Sequence, residues 1–325
     1  MEFPPRIIPT LLAVLALPCG AGLAHAQAFP AKQVRIVVPY APGGSADTVA
    51  RLVSERLSQE WGQPVLIDNK PGAGSTLGSL QVAGAPGDGY ALLLNGVIAH
   101  VSAAFLIKGL TYDPVKSFAP AAQISIAPFV LVVGPSLKAQ TVKELIELAK
   151  AEPGKLTFGT SGAGGGTHLS MEMLADATGM KLVHVPFKGT APAVTALLGG
   201  HVSMVMGDVS VASHVRSGTL RALAVTTAQP SALVAGVPTV SQAGVPGFDA
   251  ASVIGLLAPA TTPGDVIAKI NAAVNRALGE ESLRQKLLGL GMEPAPATPE
   301  QFGASIAAES QRYGRIIPRV GIKAN

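Results

Sequence analysis

The sequence predicts an α/β protein made of two doubly wound lobes with a ligand cleft between them, and three observations carry that expectation. Short apolar strands alternate with helix-compatible segments along the chain, the pattern of sheets covered by helices on both faces. One strand–loop–helix unit occurs twice, in the same order. The chain has 325 residues, more than one typical domain holds even after a leader is removed.

Residues 1 to 26 read as a secretory signal. Arg6 supplies a basic start, an apolar run follows from Leu11 to Leu17, and Ala24-His25-Ala26 is a small-x-small cleavage site, so the mature chain is expected to begin near Gln27. The apolar run is about half of the ~20 residues that span a bilayer. The alternative is a lipoprotein beginning at Cys19, although Pro18 is a poor neighbour for a lipidated cysteine. Cys19 is the one cysteine, so the mature chain is expected to lack disulfides, thiolate metal sites and thiol catalysis. A net charge of +4, with no Lys/Arg cluster interleaved with aromatics, argues against nucleic acid and allows only a modest pull on anions.

The first three strands are expected at Arg35 to Tyr40, Val65 to Asp68 and Ala91 to Asn95, with helices over Ser45 to Glu60 and Ser75 to Ala83 between them. The second set is expected at Leu156 to Thr160, Leu182 to Phe187 and Val202 to Met206, with helices near Thr167 to Thr178 and Pro192 to Leu198. Matching strands are offset by roughly 120, 117 and 111 residues, an internal duplication of architecture read as two parallel sheets. Between the copies lie a strand at Phe129 to Val133 and a helix from Val142 to Ala151. After the second come Leu220 to Thr226, a Pro/Gly-rich stretch to Gly247 and a strand at Val253 to Ala258. Two crossings follow, giving a discontinuous first lobe of residues 27–126 plus 247–325 and a second lobe of residues 127–246. The helix from Pro263 to Gly279, with apolar residues at helical spacing, is expected to pack back on the first lobe.

Ligands of open α/β sheets sit at the carboxyl ends of strands, where loops enter helices. There the helix start offers unpaired N–H groups and a partial positive charge, and glycine lets an anion come close. One copy carries Pro42, Gly43 and Gly44 before Ser45; the other carries Ser161 and Gly162 through Gly166 before Thr167 and His168. Facing each other, such loops are expected to grip a carboxylate through N–H groups after Gly44 and Gly166, aided by the hydroxyls of Ser161 and Thr167. The bland alternative is that these glycines only make tight turns; their pairing at matching places weighs against it. Asp47, in a first helical turn, suits a loop brace or a ligand contact. His168 suits ligand contact or loop support, Asp208 the reception of a ligand ammonium, His184 a core position, and Lys188 the surface beyond the second strand.

Other chemistries lack their patterns. Neither Gly162-Ala163-Gly164 nor Gly72-Ala73-Gly74 has the third glycine of a dinucleotide fingerprint, and no GxxxxGK[ST] occurs. The histidines show no metal-ligand spacing, so neither a cofactor nor a metal is expected. A hydrolase with Ser161 as nucleophile, His168 as base and Asp208 as orienter is conceivable at the cleft. The segment Gly159-Thr160-Ser161-Gly162-Ala163 misses the nucleophile-elbow pattern at its last position, and no enzyme is expected.

Across the mature length, the motifs Val38-Pro39-Tyr40-Ala41-Pro42-Gly43-Gly44 with Asp47, Asp68-Asn69-Lys70-Pro71-Gly72-Ala73-Gly74, Ser161-Gly162 through Thr167-His168-Leu169, and Val185-Pro186-Phe187-Lys188-Gly189 occur in order. In these the chain resembles the Bug family of periplasmic solute-binding proteins, receptors of tripartite tricarboxylate transporters. The resemblance implies the type II periplasmic-binding-protein fold, a Venus flytrap. It further implies a small carboxylate held by backbone amides, hydroxyls and bridging water, membrane permease subunits as partners, and a monomer in the periplasm. The implied ligand-binding set adds Tyr40, Gly74, Ile98 and Phe187 to the loop residues. Ile98-Ala99-His100 with Ala103 stands where the family often has Thr-His-x-x-Asn, Phe187 replaces a usual Tyr, and Gly207 stands where a larger residue often precedes the Asp. These departures are expected to enlarge the pocket. A ligand sensor that signals to a protein partner is the alternative to transport.

Overall fold

The computed structural model describes residues 29–322, so the expected leader, its cleavage site and Cys19 lie outside the described residues. In chain order, β1 (Val34–Val38) leads into α1 (Ser45–Trp61), β2 (Val65–Asn69) into α2 (Thr76–Ala83), and β3 (Ala91–Gly96) into α3 (Val97–Leu106). Next, β4 (Phe118–Pro128) crosses directly to β5 (Val130–Val133), followed by α4 (Val142–Ala151). The unit then repeats as β6 (Thr157–Thr160), α5 (Gly166–Thr178), β7 (Val183–Pro186), α6 (Thr190–Leu198), β8 (Met204–Gly207) and α7 (Ala212–Arg216). After β9 (Arg221–Val225) and β10 (Ala251–Pro259) come α8 (Gly264–Gly279), α9 (Glu281–Gly289), β11 (Glu293–Pro294) and α10 (Pro299–Val320).

One sheet has the order β11-β4-β10-β3-β1-β2 and the other β7-β6-β8-β5-β9. The duplication is visible in their cores: β2-β1-β3 and β7-β6-β8 are parallel triplets of the same order. The sheets as wholes are mixed, which corrects the expectation of parallel ones. β10 runs antiparallel to β3, and β5 antiparallel to β8. Each of these strands arrives from the opposite lobe and so enters its sheet at the end where the parallel strands finish: Ile254 faces Gly96, and Val130 faces Gly207.

The two crossings are hydrogen-bonded to each other. Thr226 N–H donates to the Phe129 carbonyl at 3.0 Å, Phe129 N–H to Thr226 Oγ1 at 2.9 Å, and Ala250 N–H to the Thr226 carbonyl at 2.8 Å. As expected, α8 buries Val266, Ile267, Ile270, Ala273, Val274 and Leu278 on the first lobe, against β4 and α1. The helix α10 was not expected. It buries Phe302, Ile306, Tyr313 and Ile317 mainly against α3 and β4, and it also touches α5 of the second lobe.

Candidate functional site

A cleft of about 1010 Å³ opens where the parallel strands of both sheets end. Its first wall is built by the starts of α1 (Gly44, Ser45, Ala46) and α3 (Gly96, Ile98, Ala99), and its second by the starts of α5 (Gly166, Thr167) and α6 (Gly189, Thr190, Ala191). The crossings supply Ala127, Pro128, Phe129 and Val253 as its floor. Four helix N-termini thus converge on one space, each with N–H groups that its own helix leaves unpaired.

The two glycine loops match in detail. The N-cap of α1 is Gly44 at φ −78°, ψ 170°, and that of α5 is Gly165 at φ −79°, ψ 171°; neither helix start carries a side-chain cap. The glycine before each cap has positive φ, +87° at Gly43 and +72° at Gly164. The partner of Gly44 is therefore Gly165, one residue earlier than the pairing read from the sequence, and Gly166 is the first residue of α5. Gly166 has no room for a side chain: a Cβ there would lie 2.5 Å from the Phe129 ring and 3.2 Å from Ile98 Cδ1. That contact places Ile98 and Phe129 against the second loop.

Of the residues expected to contact ligand, Tyr40, Gly44, Ser45, Ile98, Ser161, Gly166, Thr167 and Asp208 line the cleft. Thr167 Oγ1 accepts Ser161 N–H at 3.1 Å and shares a hydrogen bond with Ser161 Oγ at 2.9 Å. The Tyr40 hydroxyl donates to Asn95 Oδ1 at 2.7 Å, and burial pushes its pKa up to about 12. Asp208, exposed at the cleft, accepts from Thr190 Oγ1 at 2.8 Å through one carboxylate oxygen and from Ser210 N–H at 2.9 Å through the other.

Pro42, Gly43, Asp47, Gly74, Gly162, His168 and Phe187 stand outside the cleft lining. Asp47 is a loop brace: Oδ2 accepts Gly43 N–H and Arg51 Nε, both at 2.9 Å, and Oδ1 accepts Asn69 Nδ2 at 2.9 Å. Burial alone would raise its pKa, but these donors, with Arg51 foremost, bring it down to about 2. Gly74 has φ +63° in a turn beside Ile107 Cδ1. Phe187 packs against Gly159, its ring 3.2 Å from the Cβ position there, so this departure opens no space. A side chain at Gly207 would meet Val211 at 2.6 Å and Thr190 at 3.0 Å, so the expected enlargement is already filled. His100 is turned into the core, its Nε2 2.7 Å from the Pro114 carbonyl, and burial lowers its pKa to about 4.

Lys188 is exposed beyond the second strand, as expected, and it also lines the cleft. It lies two residues after β7, where the chain turns from the strand end into the start of α6. Sequence reading also missed Thr190 and Arg216 on the second wall and Leu288 to Met292 on the first. The signal for Thr190 was present: a glycine, Gly189, stands just before its helix as Gly44 stands before α1.

The nucleophilic triad does not assemble. Ser161 Oγ is paired with Thr167, whereas His168 Nδ1 accepts Gly164 N–H at 2.9 Å and its Nε2 faces Glu172 Oε1 at 3.4 Å. The ring of His168 stacks on that of His184 with centroids 3.6 Å apart. His184, which meets Thr160 Oγ1 at 2.6 Å, has its pKa lowered to about 4 by burial and by the neighbouring His168. Among the described residues there is no cluster of three metal-ligating side chains.

A two-lobed α/β clamp with helix starts facing across its cleft has the form of a solute-binding receptor. Residues 49–322 match the family described as tripartite tricarboxylate transporter family receptor, and the chain belongs to that family. Protein BugT of Bordetella pertussis is 34% identical over 96% of this chain and 98% of its own. Among solved structures, R. palustris Rpa4515 with adipate is 34% identical, covers 91% of this chain and 100% of its own, and has a TM-score of 0.72. A TctC solute-binding protein from Polaromonas, solved with no ligand, is 29% identical, covers 90% of this chain and 99% of its own, and reaches a TM-score of 0.82. The chain is thus a receptor, not an enzyme.

Proposed function

We propose that this protein is exported to the periplasm, binds a small carboxylate between its lobes as a monomer, and presents it to the membrane permease subunits of a tripartite tricarboxylate transporter. The observation that carries the reading is the pair of uncapped helix starts at Gly44 and Gly165, matched to within a degree or two and facing one cleft. A carboxylate between them accepts N–H groups from both lobes and meets the positive end of two helix dipoles, each favourable by about 0.3–1 kcal/mol where exposed and up to ~2 kcal/mol where partly buried. The hydroxyls of Ser161 and Thr167 lie beside it. Ile98, Ala99, Phe129 and Val253 give the same cleft an apolar lining, and Lys188 and Arg216 bring two cations to it. A cleft that combines an anion site, apolar side chains and cations suits a short dicarboxylate, and the adipate held by the R. palustris relative is of this class.

The cleft is at the upper end of the roughly 300–1,000 Å³ typical of ligand pockets, wide for a short dicarboxylate, so binding is expected to close the lobes. Overlap is better with the ligand-free Polaromonas protein than with the adipate-bound one, although identity runs the other way. This supports reading the present arrangement as the open clamp. Thermal-shift screening against mono-, di- and tricarboxylates, acidic amino acids and aromatic acids tests the ligand class, since a ligand of the native state raises apparent stability. Stabilisation by linear dicarboxylates is expected; stabilisation by amines or sugars alone would overturn the reading.

A further inference from the structure

The two gripping loops are braced in the same way with the acidic and basic residue types exchanged. In the first lobe Asp47, three residues after the N-cap, accepts the N–H of Gly43 at 2.9 Å; Arg51, one turn on, donates to it at 2.9 Å; and Asn69 supports it from the end of β2. In the second lobe His168, three residues after the N-cap, accepts the N–H of Gly164 at 2.9 Å; Glu172, one turn on, faces its other nitrogen at 3.4 Å; and His184 supports it from β7 by stacking at an interplanar angle of 12°. We propose that His168 is the positioning residue of the second loop, holding the glycine turn from which the α5 N–H groups meet the ligand carboxylate, and that acidification releases this half of the grip. The proposal rests on the carboxylate-clamp reading above.

The asymmetry between the braces comes from their chemistry. A neutral imidazole has one lone pair, and accepting Gly164 N–H at Nδ1 puts its proton on Nε2, toward Glu172. A second proton would turn Nδ1 into a donor facing the Gly164 N–H, two donors opposed, and the loop would have to move. Asp47 stays an acceptor until its carboxyl titrates at about 2. The titratable groups facing the His168 ring are Glu172 on its own helix and His184 on β7; Phe158 of β6 packs at 6.1 Å. Asp176, one turn past Glu172, is engaged by Arg319 of α10 at 3.0 Å.

Nitrogen NMR of the labelled mature protein tests the brace without ligand. His168 Nδ1 is expected to be unprotonated at neutral pH, and the Gly164 amide resonance to move with the titration of the His168 ring. In His168→Asn, whose side-chain oxygen can accept the same N–H, the Gly164 amide is expected to hold its position and ignore acidification. Calorimetry with adipate tests the consequence. His168→Ala is expected to bind about tenfold more weakly, whereas His168→Asn and the double variant His168→Asp, Glu172→Arg, which copies the first lobe's brace, bind close to wild type and lack its extra loss in acid. A Gly164 amide indifferent to the His168 ring, or His168→Asn and the double variant losing affinity in acid as steeply as wild type, would overturn the proposal. Failure of the wild-type protein to bind adipate would count against the ligand reading, with the NMR arm still deciding the brace.

Discussion

Thr167 is buried at 2% exposure, yet it bonds Ser161 and lines the cleft, so it joins the loop's structure to the proposed anion site. Thr167→Ala is expected to weaken carboxylate binding by about 1.5–3 kcal/mol, the worth of a hydrogen bond to a charged group. Gly44→Val is expected to do at least as much harm through crowding of the anion site; at φ −78° the backbone itself tolerates valine, so the fold should survive. Lys188→Ala is expected to cost less, about 1 kcal/mol or below, because an exposed cation in water is screened. Calorimetry on the three variants at two salt concentrations separates these effects, since the contribution of exposed Lys188 should fade most with salt. His100 provides a second test. Its folded pKa of about 4 lies below the ordinary 6.5, so the unfolded chain binds the extra proton first. Its stabilising effect is complete above pH ~6.5 and is lost as pH falls to ~4, a change of about 3 kcal/mol. Urea unfolding of His100→Gln, which keeps a donor for the Pro114 carbonyl, should show a flatter pH dependence than wild type across that window.

At the scale of elements, the parallel triplets and the glycine loops were legible because strand alternation, Gly-rich turns and helix spacing are local signals. The antiparallel β10 and β5 were legible as strands but not in direction, since their orientation depends on which lobe the chain has just left. The brace roles of Asp47 and His168 were left open for a similar reason. A carboxylate in a first helical turn reads alike whether it faces the ligand or its own loop, and only the hydrogen bonds from Gly43, Arg51 and Asn69 decide. The helix α10 went unread despite local signals, namely a capping box from Thr298 to Gln301, Pro299 at its start, and apolar residues at helical spacing. Its Tyr313 is fully buried in a cluster that includes Leu169 and Leu174 of α5 as well as Val97 and Val101 of α3, so α10 packs on elements of both lobes. Tyr313→Ala is expected to destabilise the protein by about 3–5 kcal/mol in urea unfolding, with wild-type ligand affinity in the fraction that remains folded.

The whole molecule joins two similar units through crossings that are hydrogen-bonded to each other. Thr226, fully buried, holds Phe129 of one crossing and Ala250 of the other, so the lobes can turn about this point while their sheets stay intact. In the proposed clamp each lobe supplies half of the anion site, and neither the Gly44 nor the Gly165 helix start alone surrounds a carboxylate. Closure around ligand is therefore the direct consequence of the clamp. Small-angle scattering of the mature protein with and without saturating adipate, in parallel with calorimetry to confirm occupancy, measures it. The radius of gyration should fall on binding in the wild-type protein and remain at the open value in Gly44→Val under the same conditions. An unchanged radius at verified saturation of the wild type would contradict a clamp that grips from both lobes.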